Sequence, residues 1–428
     1  MHLQVRGDQV SLESNEITAG VTSVSLVETE PGIRLRCLEY YDDNDGLGGT
    51  NNASSNNPKI NRVILLLHGF PDTPMTWNGV ARNLIATTSK SCSQDGRKLD
   101  DTKSRERFLV VCPELRGYNT EKRPQTSNRV GAASLGERIE SYSRRKIVGD
   151  IVALTRHYCG EDGSLDLLVG HDWGGAVVWS ILEDQEDSQL CPRITEKAAV
   201  LNLPHPLSFG ENIIRPKQLL RSWYMFFFQI PGLSEWFLSK NQGSYLRQAV
   251  VPNLPMLRGG NATAQEEEAN ALVSIEQYYT RVLSQRGFIN YPILYYRAAA
   301  AGLWGSYGAI LESYPPFIAI LIRLGRAILR ALYATSFAAD DKSSRRDGSD
   351  TIESTTDGNN GASTVIIQTP VLVLWGAKDP YLGESLARPP IKQVPKLRGP
   401  VFYKTAGHWV HWDKTDEVSK ELLKFLDS

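Results

Sequence analysis

Short runs of consecutive apolar residues recur along the chain, separated by stretches in which apolar residues return every third or fourth position. The runs fall at residues 21–28, 34–41, 62–67, 108–112, 166–169, 198–203, 371–375 and 400–404. Several, such as Val63-Ile64-Leu65-Leu66-Leu67 and Val371-Leu372-Val373-Leu374-Trp375, are unbroken. That pattern predicts strands covered on both faces in a mostly parallel sheet, with helices between them. From Ser208 to about Thr335 it gives way to aromatic-rich helical sequence with no convincing strand. The expected architecture is α/β: eight strands flanked by helices, with a helical cap inserted over one end of the sheet.

The boundaries follow from the same pattern. Residues 1–207 form the first part of the core, 208–338 the cap, 339–364 a polar loop and 365–428 the last part of the core. Residues 42–59, 89–107 and 119–143 are also rich in Ser, Asn, Asp and Gly. Such sequence buries too little apolar area to offset the entropy of ordering it, so surface loops are expected there.

Composition narrows the function only by exclusion. At 428 residues the chain can bury one large core and an accessory region. A net charge of -1 gives no support for a nucleic-acid partner. Cys37, Cys92, Cys112, Cys159 and Cys191 are widely spaced and odd in number, which argues for a reducing compartment and against a disulfide framework or structural zinc. The first residues lack the apolar stretch of a signal peptide, so the glycosylation-like triplets at Asn52 and Asn261 read as chance matches. No run is long enough to cross a bilayer. A cytoplasmic location is the expectation. Its alternative is weak peripheral contact with an intracellular membrane through residues 316–330, where Arg323, Arg326 and Arg330 share one face of an amphipathic helix and Ile and Leu the other. A cap helix with its arginines in water accounts for the same pattern.

The candidate chemistry starts at Gly170-His171-Asp172-Trp173-Gly174-Gly175, between an apolar run and a plausible helix. A strand that turns sharply into a helix needs small residues around its apex, and the apex residue is held out over the end of the sheet. With Asp172 there, the nucleophile is an anion at neutral pH and needs no base to activate it. That suits displacement at a saturated carbon, in an epoxide or an alkyl halide, better than attack on an ester. A helix cap is the plain alternative. His68-Gly69-Phe70-Pro71-Asp72 follows the run at 62–67, where the N–H groups of Phe70 and Trp173 are the natural pair to hold an oxyanion. Asp379 follows the run at 371–375 and His408 the run at 400–404, so Asp379 can orient His408, and His408 can activate water. His411 is a rival base, expected on the surface of the final helix.

The order nucleophile, acid, histidine and the four motifs His68-Gly69-Phe70-Pro71, Gly170-His171-Asp172-Trp173-Gly174-Gly175, Gly376-Ala377-Lys378-Asp379 and Gly407-His408-Trp409 resemble an epoxide hydrolase of the α/β-hydrolase superfamily. The resemblance implies two cap tyrosines that donate hydrogen bonds to the epoxide oxygen. Tyr224 matches the first, in Tyr224-Met225-Phe226-Phe227-Phe228-Gln229-Ile230-Pro231-Gly232. Tyr296 matches the second by its place before Arg297, although the usual Asn-Trp ahead of it is missing, and Tyr295 and Tyr291 stay open. It also implies a small apolar epoxide and water as reactants, no metal or organic cofactor, and an alkyl ester on Asp172 hydrolysed with His408 and Asp379. Two alternatives share the scaffold: a haloalkane or haloacid dehalogenase with the same nucleophile, and a non-catalytic binding protein. Phe70 stands where many haloalkane dehalogenases carry a halide-binding Asn, and every triad position is filled.

Overall fold

The computed structural model describes residues 8–9, 20–42, 62–90, 108–118, 135–186, 192–250, 277, 279–280, 282–283, 288–304 and 365–428. In chain order the strands are β1 (Asp8–Gln9), β2 (Ser23–Glu30), β3 (Ile33–Tyr40), β4 (Arg62–Leu67), β5 (Phe108–Pro113), β6 (Leu167–His171), β7 (Ala198–Leu201), β8 (Val371–Gly376) and β9 (Leu397–Tyr403). They form one sheet in the order β1-β2-β3-β5-β4-β6-β7-β8-β9. From β5 to β9 neighbours are parallel, and β1 to β3 make an antiparallel edge. All eight expected strands are present, with ends shifted by a few residues. The two-residue β1 extends the edge to nine strands and is too short to announce itself by alternation.

The unbroken runs became the buried strands. Ile64 to Leu67, Leu167 to Val169 and Ala198 to Leu201 are completely buried. Helices α1 (Asn78–Lys90), α2 (Leu135–Glu140), α3 (Arg144–Cys159) and α4 (Trp173–Glu186) follow the first strands. After β9 come α10 (Val410–Asp413) and α11 (Thr415–Leu426). Helix α3 packs with α4, and α1 with α11, against the sheet. Cys37 and Cys112 are free and buried inside it.

Between β7 and β8 the described residues form helices α5 (Pro206–Ile213), α6 (Pro216–Arg221), α7 (Trp223–Phe227), α8 (Leu233–Val250) and α9 (Ile293–Ala300), with no strand among them. Arg297 on α9 staples this region. Its buried guanidinium donates to the Phe228 carbonyl at 3.0 Å, to Glu235 Oε1 at 2.6 Å and to Ser234 Oγ at 3.1 Å. Tyr296 is thereby turned toward Tyr224, with ring centroids 6.0 Å apart.

The expected loop over 119–143 needs correction at its end. Residues 135–140 form α2, where Ile139 is buried one turn after Leu135, and Tyr142 is buried against Tyr295 at 5.3 Å. A few apolar residues at helical spacing outweighed the polar composition. Residues 89 and 90 likewise complete α1. The rest of that loop, the segments 43–59, 91–107 and 339–364, and the amphipathic stretch 316–330 lie outside the described residues.

Candidate active site

Asp172 stands between β6 and α4 with a φ of 50°, a left-handed conformation that costs a non-glycine residue about 1–2 kcal/mol. The elbow is as tight as its glycines suggest. A Cβ on Gly170 would lie 2.3 Å from the Gly174 carbonyl oxygen, and one on Gly174 would lie 2.3 Å from that of Leu67. Glycine at these two points lets the backbone approach closely enough for the turn to hold Asp172 over the sheet end.

The carboxylate meets three groups from distant parts of the chain. The Phe70 N–H donates to Asp172 Oδ1 at 2.8 Å. His408 Nε2 faces Oδ2 at 3.6 Å, while His408 Nδ1 lies 2.7 Å from Asp379 Oδ2. Trp173 opens α4, where the first N–H groups have no partner within the helix. Burial alone would raise the pKa of Asp172. The hydrogen bond and charge of His408, the His171 ring and the Phe70 N–H outweigh it and hold the carboxyl below its usual value. Burial likewise opposes the charged form of His408, but the charge of Asp379 and the hydrogen bond to Asp172 push it up to about 10. At neutral pH the resting site therefore holds an imidazolium between two carboxylates.

Asp379 is itself fixed on four sides. Its Oδ1 accepts the backbone N–H of Tyr381 at 2.7 Å and of Leu382 at 2.9 Å. Its Oδ2 accepts from His408 and from Asn202 Nδ2, the latter at 2.7 Å. Asn202 has a φ of 45° and accepts the Gly376 N–H at 2.9 Å, bracing the end of β8. Nothing in the sequence marked Asn202, which lies inside an apolar run without a motif of its own.

A cavity of about 310 Å³ opens onto Asp172 and His408, and Phe70, Tyr224, Phe228 and Tyr296 line it. Burial, then the Asp172 charge, pushes the Tyr224 phenol well above its usual pKa. Burial, the neighbouring Tyr224 and Asp172 do the same for Tyr296. Both remain neutral hydrogen-bond donors at any physiological pH. The Tyr296 ring packs edge-on to Phe228 at 4.9 Å, to Trp173 at 4.9 Å and to Phe70 at 5.4 Å. Tyr295 instead donates to the Arg116 carbonyl at 3.2 Å and packs on Trp304, away from the cavity. Tyr291 does not line it either. The alternatives left open by the sequence thus separate by position. Tyr381, which the sequence did not single out, lines the cavity and stands edge-on to His408 at 5.2 Å.

His411 is not on the surface. It is fully buried, with Nε2 2.5 Å from Thr76 Oγ1 and its ring stacked on Trp77 at 4.4 Å. Burial, then the charges of His171 and His408, holds it neutral. It lies behind His408, not in the cavity. Asp72 and His171 share this layer, and one ligand atom from each of the three lies within 4.8 Å of the others. Asp72 accepts the Thr73 N–H at 2.8 Å and the Tyr279 hydroxyl, and its Oδ2 faces His171 Nδ1 at 3.6 Å. The other His171 nitrogen bonds to the His408 carbonyl at 3.0 Å, so this layer fixes the backbone that carries the base. Both residues lie inside the sequence motifs, but only the fold turns them toward each other.

Together the fold and the elbow hold a buried carboxylate over the end of a mostly parallel sheet, beside an Asp-paired histidine. The chain matches the alpha/beta hydrolase fold family over residues 62–415 and belongs to it. It is 24% identical over 372 residues to Epoxide hydrolase 3 of Xenopus tropicalis, which covers 86% of this chain and 72% of that protein. With Epoxide hydrolase 4 of Homo sapiens it shares 25% identity over 368 residues, 85% of this chain and 72% of that one. Among solved structures, an epoxide hydrolase from Bacillus megaterium, complexed with its product, a naphthyloxy-propanediol, superimposes with a TM-score of 0.53. It is 19% identical and covers 94% of this chain and 100% of that one, a likeness of fold.

Proposed function

We propose that this protein is an epoxide hydrolase that converts a small apolar epoxide and water to a vicinal diol through an ester on Asp172. One observation carries the reading. An ionised carboxylate faces two neutral phenols, Tyr224 and Tyr296, across an aromatic cavity, with an Asp-paired histidine behind it. The relatives named as epoxide hydrolases support the same assignment.

The chemistry has two halves. Asp172 Oδ2 attacks a ring carbon, a C–O bond of the epoxide breaks, and the phenols stabilise the departing oxygen. That oxygen takes a proton supplied by the His408 imidazolium, relayed through the cavity. Esterification removes the Asp172 charge that helped hold the proton on His408, so the histidine becomes a base only after the first step. Neutral His408 then takes a proton from water as the water oxygen attacks the Asp172 Cγ. The tetrahedral oxyanion forms on Oδ1, beside the Phe70 and Trp173 amides. Its collapse expels the diol oxygen, which takes the remaining acid proton and restores the carboxylate and the imidazolium. Every step is made by side chains and backbone of this chain.

The direct test is turnover of aryl and alkyl epoxides by the purified protein, with diol measured by chromatography. Diol formation abolished by Asp172→Asn is expected. Halide release from alkyl halides without diol formation from any epoxide would replace this reading with the dehalogenase one.

A further inference from the structure

We infer that the outer face of helices α6 to α8 docks on an anionic lipid bilayer and holds the cavity mouth against it. Among the described residues thirteen large apolar side chains are exposed, and ten of them lie within residues 214–245. Leu220 is 76% exposed, Trp236 56%, Phe226 55% and Trp223 51%. Scattered exposed apolar residues are ordinary in a folded protein, but a concentration of this kind marks an interaction surface. Rings connect it across the helices: Trp223 to Phe227 at 5.9 Å, Phe227 to Phe237 at 5.6 Å, and Phe237 to Tyr245 at 5.3 Å.

Charge selects the partner. Arg215, Lys217, Arg221 and Lys240 are exposed and interleave along the chain with the exposed apolar residues. The acid within the patch, Glu235, is held by Arg297 at 2.6 Å and is not available to offset them. Lys240 Nζ lies 4.5 Å over the exposed Trp236 ring, a cation on an aromatic face. Tryptophan beside lysine and arginine on one exposed helical face suits the boundary between lipid headgroups and acyl chains. A second copy of this face would bring like charges together. Continuity with the cavity points the same way, because Leu220, Arg221, Trp223, Phe237 and Tyr245 belong both to the patch and to the wall of the cavity that holds Asp172. A protein seated there would block the mouth, whereas a bilayer would feed apolar substrate into it. That rationale rests on the epoxide reading; the binding itself does not.

Flotation with phosphatidylcholine vesicles, with and without about one-third phosphatidylglycerol, tests the inference without reference to activity. Binding should rise with anionic lipid and weaken in about 0.5 M salt, where the Debye length falls below about 5 Å. Phe226 and Trp236 do not line the cavity. Changing both to Ser should reduce vesicle binding about tenfold or more, as loss of buried apolar area requires, while turnover of a water-soluble epoxide is kept. If that variant fails to fold, Lys217→Glu with Lys240→Glu should lose the preference for anionic lipid. No binding by the unmodified protein would overturn the inference. So would undiminished binding by the variants, which would move the contact to another segment, or a dimer in light scattering that the same variants abolish. Vesicle binding without epoxide turnover would leave this inference standing and sink the proposed function instead.

Discussion

The Phe70 N–H and Asp172 Oδ1 lie 2.8 Å apart, so the amide that would hold the oxyanion already holds the resting nucleophile. The two carboxylate oxygens are thereby distinguished: Oδ1 is tethered, while Oδ2 faces His408 and the cavity. Gly69 makes the approach possible, since a Cβ there would stand 2.4 Å from the Asp172 Cβ and 2.5 Å from Oδ1. Gly69→Ala must displace the nucleophile. Ring opening should slow by about 100-fold, the effect expected of a misplacement near 1 Å, with the fold retained by circular dichroism. An unchanged single-turnover rate would mean that this contact does not position Asp172.

In the proposed mechanism the tyrosines act in the first half-reaction only. Tyr224→Phe and Tyr296→Phe should each slow alkylation by about 10² or more in pre-steady-state kinetics, with hydrolysis of any ester formed largely unaffected. Tyr295→Phe should leave alkylation near the unmodified rate, because its hydroxyl is used by the Arg116 carbonyl.

His408→Gln should open the ring more slowly, with water in place of the imidazolium as proton source, and then stall, so intact-mass spectrometry should find the protein heavier by one substrate, with turnover reduced roughly 10⁴-fold. Asp379→Asn should slow the same step. His411→Gln tests a different effect: a buried neutral group behind His408 should alter stability more than the lifetime of the alkyl-enzyme.

The pH dependence follows from the same histidine. Its folded pKa, about 10, lies above the ordinary unfolded value near 6.5. The folded state therefore binds this proton more tightly. Its contribution to stability is complete below about pH 6.5 and is lost as pH rises through about 10. Melting temperature should fall across that window in the unmodified protein and less so in His408→Gln. Alkylation should likewise decline above about pH 10, where His408 no longer supplies its proton. Asp172 adds no loss near neutrality, since its pKa is shifted downward.

Much of this site was legible in the sequence because each part follows a strand that the run of apolar residues announces. Asp172, Asp379 and His408 lie just after β6, β8 and β9, and parallel strands bring such ends to one edge of the sheet. The supporting layer was not legible. Asn202 reaches Asp379 across 177 residues and His171 reaches the His408 carbonyl across 237, contacts that no local spacing encodes. His411 misled for a related reason: helical position suggested a solvent-facing side chain, but α10 is only four residues long and packs inward on Trp77. In the cap the sequence indicated helices without their ends, and the fold separates Tyr296, which lines the cavity, from Tyr295, whose hydroxyl is used by the Arg116 carbonyl.

The central claim is that Asp172 forms the ester, and one measurement addresses it most directly. A single turnover with enzyme in excess, run in oxygen-18 water, should yield diol whose new oxygen is unlabelled, having come from Asp172. The label should appear instead in the peptide containing Asp172. Diol fully labelled in that first turnover, with no label in the peptide, would mean direct attack by water and would contradict the account.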